Sequence, residues 1–405
     1  MKLQRTLPPA ASPIDLIDLL HGFMGIVQGK KAIDRFRNEL KQHYDVKHCF
    51  LVSSGKAALY CILKALQKIH PEKNEVLVPA FNCYSVPSAV LSAGCTIRLC
   101  DVDPETLDFA ADESAKALKN STRLLCIVPA HLFGLHADIP RLKREVHDSE
   151  VTIVEDAAQA MGSMENGTPL GLLGDVGFFS LGRGKAFSTY EGGIIVTNDD
   201  TIGKSIAEVV ATFEHYSTMQ VIRLCLQAVA VSVLSHPMLF WIPKGLPFLR
   251  IGETLFEHSF TIRSMSSFQA GLAWNWKKKM QRFLDRRKQN SDWWASYFYN
   301  HPIQGILTFV SPGGPLIHML RFPIRVSNPE IRDKILKKSE ELGLGISVTY
   351  PKALDELVEL NGKIAALCPD ARVCAGTIIT LPIHGYVQRR DVNKISKVIT
   401  EIADA

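Results

Sequence analysis

Between Cys49 and about Asp200 the chain alternates short apolar runs with stretches of helical spacing, and this alternation restricts the fold more than any other feature. Leu51–Ser54 is an apolar run that ends at Ser54-Gly55. Lys56-Ala-Ala-Leu-Tyr-Cys-Ile-Leu-Lys-Ala-Leu follows, with strong helix formers and apolar residues three and four apart. Val76-Leu-Val-Pro predicts a buried strand, and Phe81 to Leu91 a helix closed by Gly94. Thr96-Ile-Arg-Leu-Cys-Asp-Val-Asp, Leu124-Leu-Cys-Ile-Val-Pro and Val151-Thr-Ile-Val-Glu-Asp predict further strands, joined by helical linkers such as Ile139–His147. Phe178-Phe-Ser and Gly193-Ile-Ile-Val-Thr complete the set. They lie so close in sequence that one of them is expected to run antiparallel. The sum is an α/β fold: a mostly parallel sheet with helices on both faces.

The rest of the chain departs from this rhythm. Ile202–Thr212 predicts a helix leading out of the sheet. Leu224 to Pro243 carries no Asp, Glu, Lys or Arg, a run of about twenty residues and so of membrane-span length. Gln227, Ser232, Ser235, His236 and Pro237 interrupt it, so a true span is not expected. The apolar insert near residues 218–252 is read first as a helical hairpin packed on the body. A dimer contact and docking in a membrane interface, flanked by Arg223, Lys244 and Arg250, are the other readings.

From Phe268 one long helix is expected to about Tyr299, with a solvated basic face of Lys277, Lys278, Lys279, Arg282, Arg286 and Arg287. After Pro302 the spacing predicts strands at Leu320–Val326, Ile346–Tyr350 and Thr377–Pro382, and helices at Glu330–Leu342 and Gln388–Ala403. The expected division is a large domain, residues 1–290, with N-terminal helices and the insert, and a small α+β domain, residues 291–405.

Composition excludes several classes. With 46 Lys+Arg against 41 Asp+Glu the net charge is only +5, and no long basic block occurs, so nucleic acid is not an expected partner. The nine cysteines form no C-x-x-C pair and sit mostly in apolar stretches, which points to buried reduced thiols of a cytoplasmic protein rather than a disulfide frame or zinc site. No metal cluster is expected. The N-terminal MKLQRTLPPAASPIDL has no apolar core, so no secretory signal is read.

The chemistry is concentrated in three places. Val151-Thr-Ile-Val-Glu-Asp ends a strand in Asp156 at the carboxyl edge of the sheet, where open α/β sheets bind ligands. A carboxylate there can hold a protonated ring nitrogen, or cap the following residues. Lys185 lies in the glycine-rich turn Leu181-Gly-Arg-Gly-Lys directly after a strand, where desolvation would favour its neutral, nucleophilic amine. Ser180, five residues earlier, can offer its hydroxyl to a phosphate. Ser54-Gly55 opens a helix whose free N–H groups and positive dipole end suit a phosphate; Lys56 either adds charge there or is solvated. An acid for a ring nitrogen, an amine for an aldehyde and a helix N-terminus for a phosphate together describe a site for pyridoxal 5'-phosphate. His131, after the strand Leu124–Val128, reads equally as an active-site residue or as one hydrogen-bonded to loop backbone.

In order along most of the chain, Ser54-Gly-Lys-Ala-Ala-Leu, Pro79-Ala-Phe-Asn-Cys-Tyr-Ser, Asp101-Val-Asp-Pro-Glu-Thr-Leu, Pro129-Ala-His-Leu-Phe-Gly-Leu-His-Ala-Asp, Glu155-Asp-Ala-Ala-Gln-Ala-Met-Gly, Gly174-Asp-Val-Gly-Phe-Phe-Ser, Lys185 with Glu191-Gly-Gly, and Leu381-Pro-Ile-His resemble the DegT/DnrJ/EryC1/StrS sugar aminotransferases. The resemblance implies the fold-type I pyridoxal-phosphate architecture, with a seven-stranded sheet, and a homodimer. It implies that Lys185 bonds the cofactor aldehyde and shuttles the proton, that Asp156 keeps the ring nitrogen protonated, and that Gln159 lies near the phenolic oxygen. Ser54, Gly55, Lys56 and Ser180 would cradle the phosphate. Lys185, where the family's dehydratases carry histidine, implies transamination.

The chain departs from the family pattern at several positions. Lys56 stands for the usual Thr, and Cys83 for an aromatic stacking residue, which leaves Tyr84 or Phe81 for that role. Ile262-Arg-Ser-Met replaces an Asn-x-Arg-Met stretch given by the second subunit, so Arg263 is one place off. Thr349-Tyr-Pro replaces His-Tyr-Pro at Tyr350. His131, Arg263 and Tyr350 are the substrate-side candidates.

The expected activity is transfer of an amino group from glutamate to a keto-sugar, nucleotide-linked, for polysaccharide, glycolipid or metabolite synthesis. The alternatives are a non-catalytic cofactor-binding regulator or scaffold, and an aminotransferase held peripherally at the inner membrane face that acts on a lipid-linked substrate.

Overall fold

Seven strands pair edge to edge at the centre of the computed structural model, which describes residues 5–119, 121–147, 150–245, 255–312, 317–362, 364 and 366–404. In chain order the strands are β1 (His48–Val52), β2 (Glu75–Pro79), β3 (Thr96–Cys100), β4 (Leu124–Ile127) and β5 (Thr152–Asp156). A two-residue hairpin of β6 (Met164–Glu165) and β7 (Thr168–Pro169) follows, then β8 (Val176–Ser180) and β9 (Gly193–Thr197). The sheet order is β1-β9-β8-β5-β4-β2-β3. Only β9 runs antiparallel to its neighbours; every other pairing is parallel. The reason is reach. The link from β8 to β9 holds the Lys185 turn and no helix, and a parallel return needs a longer crossover.

Helices cover both faces, so successive strand residues enter different cores. Val76 and Val78 join the main cluster, while Leu77 joins the one under Ile139, Leu142 and Val146. Phe178 and Ile195 face the main cluster; Phe179, Ile194 and Val196 pack with Phe36, Trp276 and Phe283. The helix Gly55–Ile69 starts where the sequence predicts, with Ser54 Oγ accepting from Ala57 N at 3.1 Å.

The expected single helix from Phe268 is broken in two, Ser267–Leu272 and Trp276–Asn300. Asn275 between them has φ +62°, a left-handed conformation that Asn tolerates better than most residues. Its basic face is not wholly solvated either. Lys279 turns inward to Asp18, and Arg287 is 1% exposed. This helix runs unbroken through residue 290. Its first turns pack with the large domain, and Trp294 and Phe298 join the main cluster with Phe322.

The C-terminal part, expected as a small domain, holds an antiparallel sheet of β10 (Ile306–Thr308), β11 (Phe322–Val326) and β12 (Ile378–Leu381), with helices Pro329–Leu342, Pro369–Thr377 and Arg389–Ala403. Ile346–Tyr350 is not a strand as expected. It makes one bridge, Ser347 to Thr380. Gly343 and Gly345 precede it with positive φ and Pro351 ends it, so its ladder is one pair of backbone bonds, Thr380 N to Ser347 O at 2.9 Å and Ser347 N to Thr380 O at 3.2 Å, with hydroxyl contacts beside them. The edge place belongs to β10, which the sequence reading missed.

The insert forms the helix Thr218–Leu234 and a short helix Trp241–Lys244; residues 246–252 of it lie outside the described residues. No helix among the described residues is long and apolar enough to cross a membrane. Leu224, Cys225 and Ala228 pack on Ile14, Leu19 and Phe268, whereas Met219, Ile222, Leu226 and Val233 are exposed. Packing against the body therefore accounts for one face of this helix. The neighbouring helix Leu16–Gln28 also exposes Leu16, Ile17, Leu20 and Val27.

A strap of residues 6–12 ties these parts together. Thr6 N donates to Pro237 O and Leu7 N to Gly343 O, both at 2.8 Å. Pro8 O accepts from His384 Nε2 at 2.7 Å. Burial drives the His384 pKa down to about 3. The unfolded histidine binds its proton near pH 6.5, so between those values the unfolded chain holds the extra proton and stability falls as pH falls. His384→Gln is expected to remove up to about 1.4 kcal/mol of loss per pH unit below 6.5, read from urea midpoints taken between pH 7 and pH 4.

Candidate functional site

At the carboxyl edge of β5 the strand's alternation sends Glu155 and Asp156 to opposite faces. Asp156 Oδ1 accepts from Ala158 N at 3.0 Å. Its other oxygen meets no protein donor among the described residues. Burial raises this carboxyl's pKa; the Ala158 N–H and the charges of Lys185 and His131 pull it back. A protonated ring nitrogen facing the free oxygen would complete the pairing.

Lys185 stands across from it, in the turn that links β8 to β9. The turn is built by its backbone: Lys185 N donates to Gly182 O at 3.3 Å, and Gly184 takes φ +76°. The Lys185 carbonyl accepts from Arg287 Nη2 at 2.7 Å and from Ser12 Oγ. Arg287 also donates to Ser12 Oγ at 2.8 Å, Ala11 O at 3.1 Å and Ala186 O at 3.3 Å. It thus clamps strap and turn together. The Lys185 amine makes no hydrogen bond among the described residues. Burial lowers its pKa, Cys83 and Asp156 oppose that, and the Arg321 guanidinium adds to it.

The third part is the N-terminus of helix Gly55–Ile69. Ser54 Oγ takes the Ala57 N–H as the cap, and the Gly55 and Lys56 N–H groups have no partner among the described residues. A Cβ on Gly55 would stand 3.0 Å from Ser180 Cβ and 3.3 Å from its Oγ, so glycine keeps the space between helix and strand open. Ser180 Oγ accepts from Gly182 N at 3.3 Å and keeps its proton for a phosphate. The acid, the amine and this cradle fit pyridoxal phosphate, the cofactor that the motifs imply. Lys56 is neither solvated nor aimed into the cradle, because its ammonium pairs with Glu257 and lies 5.3 Å from the Phe260 ring centre.

Gln159 Nε2 donates to Tyr350 Oη at 2.8 Å, and Gln159 Oε1 accepts from Phe133 N at 3.2 Å. Tyr350 stacks on Phe133 at 5.9 Å and meets Phe81 edge-on at 5.5 Å. Tyr84 clasps the backbone of Lys352, donating to its carbonyl and accepting from its N–H, both at 2.9 Å. Its hydroxyl therefore serves the wall and not a ligand. Cys83 is half-buried and close to Lys185.

Two substrate-side candidates are placed differently. His131 Nδ1 accepts from Ala137 N at 3.0 Å, so Nε2 carries the proton and donates it to Glu155 at 2.8 Å. With both nitrogens engaged by protein, its role is to support the loop behind Asp156. Arg263 pairs with Glu214 at 2.7 Å and donates to His215 O at 2.9 Å. Its backbone bonds Ser53, next to the cradle, but its guanidinium is not gathered with Lys185 and Asp156.

Sequence reasoning missed Glu155, Arg287 and Arg321. Glu155 had a signal, since a second carboxylate inside an apolar strand needs buried donors. Away from the site, His70, Glu72 and Glu150 bring ligand atoms within 4.8 Å of one another at the surface, but Lys73 already pairs with Glu150 at 3.1 Å.

A model of the DegT/DnrJ/EryC1/StrS aminotransferase family matches residues 19–400. GDP-perosamine synthase of Vibrio cholerae is 30% identical over 172 residues, 42% of this chain and 46% of that protein. L-glutamine:2-deoxy-scyllo-inosose aminotransferase of Streptomyces kanamyceticus is 30% identical over 175 residues, 43% of this chain and 40% of that protein. The matches thus span less than half the length of these curated relatives. The solved structure of E. coli GDP-4-keto-6-deoxy-D-mannose-3-dehydratase with bound hydrated PLP shares the fold, with TM-score 0.75 and 16% identity over 99% of this chain and 100% of that one.

Replacing Arg287 tests the clamp. Arg287→Met leaves the Ala11 and Ala186 carbonyls without their donor and the Lys185 carbonyl with Ser12 Oγ alone, and is expected to cost at least about 2 kcal/mol in urea unfolding. It should also weaken cofactor retention, followed by the visible absorption that survives gel filtration.

Proposed function

The chain belongs to the DegT/DnrJ/EryC1/StrS aminotransferase family, and on that premise we propose that it is a pyridoxal-phosphate-dependent aminotransferase that converts a keto-sugar to an amino sugar. The observation that carries the reading is the buried Lys185 amine, without a hydrogen bond among the described residues and under the charge of Asp156, in a chain that also keeps a glycine cradle at Ser54-Gly55 against Ser180. Pyridoxal phosphate supplies the electron sink through which an amino group leaves one carbon for another.

The chain's own residues do the rest. The lowered pKa of Lys185 leaves more of its amine neutral, as a nucleophile and as a base that takes a proton from one carbon and returns it to another. Asp156 would hold the proton on the ring nitrogen. Ser54, Gly55 and Ser180 would hold the phosphate. Gln159, fixed by Phe133 and Tyr350, would lie near the phenolic oxygen.

A lysine at 185, where the family's dehydratases carry histidine, supports amino transfer. The names of the two curated relatives support an amino sugar or aminocyclitol product and an amino-acid donor. Glutamate is the donor we assign, with glutamine, named for the Streptomyces relative, as the competitor in the assay. A nucleotide-linked acceptor follows the GDP-sugar of the Vibrio relative.

The exposed apolar faces of helices Leu16–Gln28 and Thr218–Leu234 support a homodimer. A monomer that floats with anionic vesicles would favour peripheral membrane docking instead. Nine free thiols, eight of them buried, suit the reducing cytoplasm.

The test is spectroscopic. Protein loaded with the cofactor is expected to absorb in the visible range and to lose that band when glutamate is added. A non-catalytic binder would keep it. Lys185→Ala should abolish the band and the borohydride adduct. Asp156→Asn should keep the adduct and lower turnover by roughly 10²-fold or more.

A further inference from the structure

The Ser54-Gly55 cradle is bracketed by two residues that one remote run of chain holds. Ser53, just before it, is fully buried and tied to residues 261–263. Its N–H donates to Arg263 O at 2.8 Å, and its hydroxyl donates to Thr261 O at 2.7 Å and accepts from Arg263 N at 3.2 Å. Lys56, just after the cradle, pairs with Glu257 at 2.5 Å. Between these ties Phe260 meets Tyr60 of the helix Gly55–Ile69 edge-on at 6.5 Å, and the Glu257 carbonyl accepts from Ser88 Oγ. The run continues along β1, the edge strand of the sheet, through the Val52–Ser264 bridge and the bond from Met265 N to Leu51 O at 3.2 Å.

Neither charge of the ion pair suits its place alone. Lys56 stands in the first turn of its helix, where a cation faces the positive end of the dipole. A carboxylate beside a phosphate site repels the dianion that the site takes. Paired, each offsets the other's penalty. The Lys56 side chain is only 16% exposed, and among the described residues Glu257 is the one carboxylate that pairs with it. Both charges act on Glu191: burial raises its pKa, Arg183 and Lys56 lower it, and Glu257 raises it again. The turn that Glu191 opens lies against the cradle, since a Cβ on Gly193 would stand 2.2 Å from Ser54 O.

Hydrogen bonds and packing alone would seat this run. The ion pair adds a tie at the cradle itself, made of two charges that would each weaken the site without the other. We propose that Glu257 is a positioning residue: paired with Lys56, it latches residues 257–263 against the cradle and slows release of the cofactor's phosphate end. The proposal rests on the cofactor reading above and is independent of which substrate is aminated.

Cofactor release tests this apart from turnover. Release rates of the loaded protein come from the visible band that survives gel filtration at timed intervals. Glu257→Gln is expected to speed release about two- to fivefold, the size of a partly exposed ion pair. Lys56→Met should speed it further, because it leaves Glu257 uncompensated beside the phosphate, and the double variant should return to the Glu257→Gln rate. The ratio of the Glu257→Gln rate to the unaltered rate should shrink as salt rises, because screening weakens the pair; lost packing alone would leave that ratio unchanged. Pyridoxal, which has the aldehyde and no phosphate, should be trapped on Lys185 by borohydride equally in all four proteins. Equal release from Glu257→Gln and the unaltered protein overturns the proposal. So does slower release from Glu257→Gln with fast release from both proteins that lack Lys56, which would make Lys56 a direct ligand of the phosphate. Pyridoxal trapping that falls in Glu257→Gln would show damage to the whole site and also overturn it. Unaltered protein that takes up no cofactor would strike the cofactor reading and the latch with it, whereas loaded protein that ignores glutamate would strike the aminotransferase reading and leave the latch standing on its release rates.

Discussion

One fully buried carboxylate, Glu155, organises the carboxyl edge of the sheet. Burial alone would neutralise it. The hydrogen bond from His131 and the N–H groups of Gly171 and Gly174 outweigh that penalty and hold its pKa below the usual value. A charge so enclosed fixes whatever donates to it. Through His131 it sets the loop that pairs with the Asp156 backbone, and through residues 171–174 it sets the approach to β8. Adjacent residues on one strand thus divide the labour, with Glu155 holding the scaffold from behind and Asp156 facing the ligand.

The sheet and the reactive pair were legible because each rests on local sequence. Strands buried on both faces must be apolar throughout, and Ser54-Gly55, Asp156 and Lys185 each sit at the end of such a run. The antiparallel strand was legible from chain length between Ser180 and Gly193. His131 does bond loop backbone, one of its two readings, but the carboxylate partners of His131, Lys56 and Arg263, namely Glu155, Glu257 and Glu214, are set by tertiary packing that spacing does not encode. Ile346–Tyr350 has strand composition, yet its flanking glycines and Pro351 leave it as a hydroxyl-lined wall. Arg287 reads as part of a solvated basic face, and only the fold reveals that it turns inward.

The helix Trp276–Asn300 joins the domains without a linker. Near its start it buries Trp276 beside Phe36 and Phe187, then Lys279 against Asp18; farther on it places Arg287 behind the Lys185 turn, Asn290 under the Ile383 and His384 carbonyls, and Trp294 in the main core. Donor side chains along one rigid rod therefore register the small domain against the reactive turn.

The strap at residues 6–12 touches the insert through Pro237, the small domain through Gly343 and His384, and the Lys185 carbonyl through Ser12. Four remote parts of the chain are thus moored to one short ribbon. A shift of the C-terminal part would pull on that ribbon and, through it, on the peptide plane that carries the reactive nitrogen, so the position of one is mechanically tied to the aim of the other.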